Sequence, residues 1–170
     1  MTTDEKIRDL RHDCVQFLNR EAEVLDDRHL TTWIDMLTDD VEYLVPRRVT
    51  VEAGSEREFS ENSFHYQEDR ASLNARVNRF ETDHAWSEDP PSRTRRFVSN
   101  VRVEGVDGDD VPVKSNLLVY RTHGNSPDPD LIAGERHDVL RRVDGSLKLA
   151  SRRVLLDTTV LDVGSLSIFL

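Results

Sequence analysis

Six histidines (positions 12, 29, 65, 84, 123 and 137) and one cysteine, Cys14, are the side chains of this 170-residue sequence best suited to hold a metal or move a proton near neutral pH. No two histidines stand four apart and no His-Glu-x-x-His helix occurs, so the spacing offers no ready metal-binding face. Asp83-His84 is the most tempting pairing of imidazole with carboxylate. Neighbours on an extended segment point to opposite sides, which makes them a poor chelate. A single thiolate can build neither a Cys-ligated zinc or iron–sulfur centre nor an internal disulfide. Standing at helical spacing between Leu10 and Phe17, Cys14 reads as a small core residue.

For acid–base chemistry the available groups are His84, Tyr43, Asp40, Tyr120 and His137. The bland alternative for His84 and Tyr43 is that they are hydrogen-bonded structural groups. No Ser-His-Asp motif, nucleophile elbow, phosphate loop or dinucleotide fingerprint is present.

The arginines are more distinctive. The chain has 23 Lys and Arg, of which only Lys6, Lys114 and Lys148 are lysine, and a formal net charge of −10. Such acidity, with arginines interleaved among Asp and Glu, argues against a nucleic-acid face. Arg is the better residue for buried or interfacial ion pairs. Arg93, Arg95 and Arg96 crowd the start of one predicted strand and would repel one another unless carboxylates meet them, from this chain or another. Arg141, Arg142, Arg152 and Arg153 form a second group. In a hairpin closed by Asp144-Gly145, Asp138 is expected opposite Ser151 and one diagonal step from Arg153, with Glu135 and His137 on the face that carries Arg152 and Val154. These charges read either as a solvated ladder or as one side of a subunit interface.

The elements that must position these groups follow from periodicity. Ile7, Leu10, Cys14, Phe17, Leu18 and Leu25 form one stripe of a helix over about Thr3–Asp26, about 35 Å long at 1.5 Å per residue. A second short helix spans Arg28–Leu37 and ends at Asp39-Asp40. Val41–Pro46 reads as a strand, with Pro46 suggesting an edge or an end. Thr50–Phe64 reads as a loop, in which Phe59, Phe64 and Tyr66 pack on the core or on a partner. Gln67–Glu81 is a third helix. Pro90-Pro91 forbids helix continuation, and Phe97, Val101 and Val103 alternate with polar residues in the strand that follows. After a turn at Gly105–Asp110 come strands at Val111–Thr122, Leu131–Val143 and Leu147–Leu161. The apolar stretch Ser165–Leu170 is expected to dock on the body or on a neighbour. Helices first and antiparallel strands afterwards give an α+β pattern in a single 1–170 domain. No apolar run approaches the ~20 residues that span a membrane, and Met1–Glu5 lacks the basic and apolar parts of a signal peptide. A cytoplasmic protein is expected.

The stretch His84-Ala85-Trp86-Ser87-Glu88-Asp89-Pro90-Pro91-Ser92-Arg93-Thr94-Arg95-Arg96 resembles the beta (small) subunit of aromatic-ring-hydroxylating, Rieske-type dioxygenases. Phe17–Tyr43 is similar to that family's N-terminal helices. Glu135–Leu170, with Asp138-Val139-Leu140-Arg141-Arg142-Val143 and Arg153-Val154-Leu155-Leu156-Asp157, is similar to its C-terminal strands. The resemblance implies a cone-shaped, cystatin-like fold, like that of nuclear transport factor, with N-terminal helices packed on a curved antiparallel sheet. It also implies three beta chains assembled with three alpha chains. The alpha chain would carry the Rieske [2Fe-2S] cluster and the mononuclear Fe(II), electrons would come from NADH, and the beta chain would hold no cofactor and no catalytic residue. Trp86, Arg93, Arg95, Arg96, Arg152 and Arg153 are then the candidate interface or ion-pair residues. A second reading is a free-standing cone-fold isomerase or dehydratase with an acid–base site around His84 and Tyr43, in the hollow between sheet and helices.

Overall fold

The computed structural model describes residues 3–50, 52–54, 58–82, 91–160 and 168–170, with side chains from Glu5 onward. Three helices, α1 (Thr3–Asp26), α2 (Leu30–Asp35) and α3 (Arg70–Glu81), accompany six strands: β1 (Leu37–Arg48), β2 (Phe59–Glu68), β3 (Arg93–Val103), β4 (Asp110–Thr122), β5 (Asp130–Val143) and β6 (Ser146–Leu156). The strands form one sheet in the order β2-β1-β6-β5-β4-β3, and the helices cover one face of it. Alternation decides which side chains go inward. Along β4, Val111, Val113, Leu117 and Val119 are buried, while Leu118 and Tyr120, which alternate with them, face out.

The helical stripe of α1 buries Leu10, Cys14, Leu18 and Leu25 against the sheet. Asp69 caps α3: its carboxylate accepts from the Ser72 amide at 2.9 Å while the Ser72 hydroxyl accepts from the Asp69 amide at 2.9 Å. That cap fixes the helix start at Arg70, three residues later than the periodicity alone suggests.

Four expectations are corrected. The segment from Phe59 is a strand, β2, because its backbone has a neighbour to pair with in β1, although its polar sequence gives no apolar alternation. Asp39 and Asp40 do not end α2; they lie within β1, which starts at Leu37. The sheet is mixed, since β1 runs parallel to β6 in its centre. Pro46 therefore sits on an interior strand, and the pairing of β1 with β2 shifts register on either side of it, which accommodates a residue that lacks an amide hydrogen.

The fourth correction matters most. A register shift between Val139 and Leu140 places Asp138 directly opposite Arg152, not Ser151, and His137 opposite Arg153. One extra residue in a strand moves every later side chain to the other face. Asp138 and Arg152 thus share the inner face, while Glu135 and His137 lie outside with Arg153. Further along the same strand pair, β5 and β6 approach so closely at Gly134 that a Cβ there would stand 2.5 Å from the Leu155 carbonyl oxygen, a contact only glycine avoids.

Candidate functional site

The hollow between sheet and helices is the place where a cone-fold enzyme would hold a substrate. Here the chain fills it with its own residues. Ile168, Phe169 and Leu170 are all buried. The Phe169 ring lies 4.4 Å from that of Trp33 and meets Phe80 edge-on at 6.0 Å, and the Arg76 guanidinium sits 4.3 Å over its face.

Beneath this plug lies a buried ionic cluster. Arg152, 0% exposed, gives two hydrogen bonds to Asp138 (2.9 and 2.8 Å) and two to Glu21 (2.8 Å each). Trp33 Nε1 also donates to Glu21, at 3.0 Å, and Arg136 approaches the same carboxylate at 3.8 Å while donating to Ser115 Oγ at 3.3 Å. Two guanidiniums and two carboxylates balance, as a buried charge requires. Burial alone would raise the Glu21 pKa, but Arg152 and Arg136 outweigh it and bring it down to about 2. For Arg136, burial and the neighbouring Arg152 lower the pKa to about 10.

Among the described residues, the acid–base candidates do not converge. Tyr43 faces the interior, but its hydroxyl is committed twice: it donates to the Leu170 oxygen at 3.0 Å and accepts from the Leu170 amide at 2.7 Å. Burial raises its pKa further. Asp40 pairs at the surface with Arg141, and His137 bonds Glu135 on the outer face of the sheet, where Tyr120 also lies. His84 falls outside the described residues, as does Trp86. Among the described residues no three His, Cys, Asp or Glu groups gather as a metal would need, and none of the helices is long and apolar enough to cross a membrane. Cys14 is 0% exposed, and burial pushes its thiol up to about 11.

The six candidate arginine and tryptophan positions separate into classes. Arg96 and Arg152 make ion pairs within the chain. Arg96 meets Asp26 of α1 at 2.6 Å, its amide donates to the same carboxylate at 2.9 Å, and it also reaches the Phe169 carbonyl oxygen. Both guanidiniums are buried within the chain, and Arg96 Nε has no hydrogen-bond partner among the described residues. Arg93 and Arg95 are exposed and, among the described residues, have no ion-pair partner; Arg153 is half-buried on the outer face and has none either. Glu21, the centre of the buried cluster, was not anticipated from the sequence. Its signal was available: Cys14, Leu18, Glu21 and Leu25 are spaced four, three and four apart, so a carboxylate stands in the middle of an apolar stripe.

Helices packed inside a curved, open sheet define a cone-shaped α+β protein of the cystatin-like type. The family model described as "Ring hydroxylating beta subunit" matches residues 20–163, and the chain belongs to that family. It is 36% identical over 166 residues to the N,N-dimethyl phenylurea N-demethylase subunit beta of Sphingobium sp. (strain YBL2), covering 96% of this chain and 94% of the relative. It is 34% identical over 168 residues to the biphenyl 2,3-dioxygenase subunit beta of Rhodococcus jostii (strain RHA1), covering 94% and 88%. Among solved structures, a chain of naphthalene 1,2-dioxygenase with indole bound matches with a TM-score of 0.81 and 25% identity, covering 100% of this chain and 95% of that one. This chain is therefore the small component of an oxygenase built from more than one kind of subunit.

Proposed function

We propose that this chain is the non-catalytic small subunit of a multicomponent dioxygenase that adds both atoms of dioxygen to an aromatic ring, three copies organising three catalytic alpha subunits. The observation that carries this reading is the filled interior: Phe169, Leu170 and the Glu21–Arg152–Asp138 cluster occupy the volume a substrate would need. Biphenyl and naphthalene oxygenases among the relatives support an aromatic substrate. The residues here do not suit a Rieske cluster, since the one cysteine is buried with its thiol protonated at neutral pH. That cluster, the mononuclear iron and the entry of NADH-derived electrons belong to the partner chains.

Two measurements test this. The chain purified alone should contain no iron and show no arene oxidation, and native mass spectrometry of the chain coexpressed with an alpha subunit of the same source should give a three-plus-three assembly. Stoichiometric iron in the isolated chain, or failure to join any alpha subunit, overturns the proposal.

A further inference from the structure

The Phe169–Leu170 segment sits in the hollow as a small molecule sits in a receptor, its ring and its oxygens held by different groups. The Phe169 ring is faced by Trp33 at 4.4 Å, by Phe80 at 6.0 Å and by the Arg76 guanidinium at 4.3 Å. Its carbonyl oxygen accepts from Arg96 Nη2. The next peptide nitrogen, of Leu170, donates to the Tyr43 hydroxyl at 2.7 Å. The Leu170 oxygen accepts from Tyr43 at 3.0 Å and from Arg152 Nη1 at 3.1 Å. Apolar walls with a few placed polar groups are the make-up of a small-molecule site.

The segment leaves two of these groups unsatisfied. Arg76 is 6% exposed and Arg96 8%, yet Arg76 Nη2 and Arg96 Nε have no hydrogen-bond partner among the described residues. Buried guanidinium nitrogens ordinarily find an acceptor. Tyr43 is used in a way that only a peptide imposes, because its oxygen accepts from the Leu170 amide. Burial raises its pKa, so the hydroxyl keeps its proton and is able to donate to an anion instead. Arg96 faces one carboxylate, Asp26, and has a donor to spare.

The segment therefore outlines what fits. From its ring outward, Phe169 is an aryl group, two carbons and a carbonyl, and the Leu170 nitrogen is the second heteroatom on that carbonyl carbon. A 3-arylpropanoate has the same ring, the same two carbons and a carboxylate in place of the amide. One of its oxygens takes the position of the Phe169 oxygen and accepts a charge-assisted bond from Arg96. The other takes the position of the Leu170 nitrogen and accepts from Tyr43. We infer that the hollow is a binding site for a 3-arylpropanoate, in which Phe169 is the resident ligand and which a free aromatic acid enters in exchange for it. The attached segment competes at a high effective concentration, so the free acid binds weakly until the Phe169 ring is removed. While the segment is docked the interior is closed, and the inference holds or fails independently of assembly with an alpha subunit.

The test compares the full chain with its Phe169→Ala variant, using 3-phenylpropionate as the probe and isothermal titration calorimetry at neutral pH as the readout. The variant should bind the acid with a Kd of about 1 mM or tighter, and its thermal midpoint should rise with ligand concentration. The unmodified chain should bind at least tenfold more weakly. For the variant, 3-phenylpropan-1-ol, which has the same ring and chain without the carboxylate, should also bind at least tenfold more weakly than the acid. Adding Tyr43→Phe to the variant should weaken binding of the acid at least fivefold. Should Phe169→Ala fail to fold, Phe169→Leu carries the same comparisons. No binding to the variant, equal binding to variant and unmodified chain, an alcohol that binds as well as the acid, or an added Tyr43→Phe without effect overturns the inference. Binding of the acid as expected by a chain that joins no alpha subunit would leave this site standing and remove the proposed function, and a three-plus-three assembly whose small subunit ignores the acid would do the reverse.

Discussion

Phe169→Ala will lower the stability of the isolated chain by about 3–5 kcal/mol, the range for removing a large aromatic side chain from a packed core. The ring is 2% exposed and contacts Trp33, Phe80 and the Arg76 guanidinium at once. Truncation therefore loses aromatic packing and uncovers an arginine that already has one guanidinium nitrogen, Nη2, without a hydrogen-bond partner. The backbone anchors of the segment, from Arg96 to the Phe169 carbonyl and from Arg152 to the Leu170 oxygen, stay available, so the variant should keep its fold near room temperature. Urea unfolding followed by far-ultraviolet circular dichroism measures the loss. A change below about 1 kcal/mol would mean that the plug is a surface attachment and not core.

Arg152→Met should cost a similar amount, about 3–5 kcal/mol, by a different route: it strands Glu21 and Asp138 in the interior without their shared counter-charge. Five hydrogen bonds disappear with the guanidinium, four to the carboxylates and one to the Leu170 oxygen, and only Arg136, 3.8 Å from Glu21, remains to offset the carboxylates. Equilibrium unfolding at neutral pH measures this directly, and a loss of less than about 1 kcal/mol would count against the cluster as a central support.

The same cluster sets an acid limit. The Glu21 pKa falls from 4.5 to about 2 on folding. A group whose pKa is depressed in the folded chain contributes its stability fully above the unfolded value and loses it as pH falls through the folded one. The unmodified chain should thus lose about 3 kcal/mol between roughly pH 4.5 and 2 from this residue. In Glu21→Gln that portion of the acid dependence should be absent, although the chain is weaker at neutral pH. Denaturant titrations at several pH values give both curves, and identical slopes in the two proteins would refute the assignment.

What could be read in advance divides along physical lines. The stripe of α1, the α+β order and the Asp144-Gly145 turn are local, and each was legible because propensity, period and fold agree there. Strand β2 was hidden because Phe59-Ser60-Glu61-Asn62-Ser63 carries no alternation; only the neighbouring β1 makes it a strand. The Asp138–Arg152 pair was misplaced by one residue because a bulge leaves no mark in a sequence that alternates on both sides of it. As for the candidate site, the richness in arginine was visible, but which guanidiniums are buried was not. Arg96 and Arg95 are adjacent, yet one is buried against Asp26, 70 residues earlier in the chain, and the other faces solvent. Glu21 and Arg152 are 131 residues apart, a pairing that no local pattern encodes.

The parallel pairing of β1 with β6 has a consequence for biosynthesis. A ribosome making this chain delivers β1 early and must wait until Ser146–Leu156 emerges before the middle of the sheet can close. Until then the edge of β1 and the apolar underside of α1 have no cover, a state that invites aggregation and slows acquisition of structure through late, distant contacts. Phe169 is translated later still. The interior therefore closes only after β6 has emerged and the Phe169 segment can dock on it.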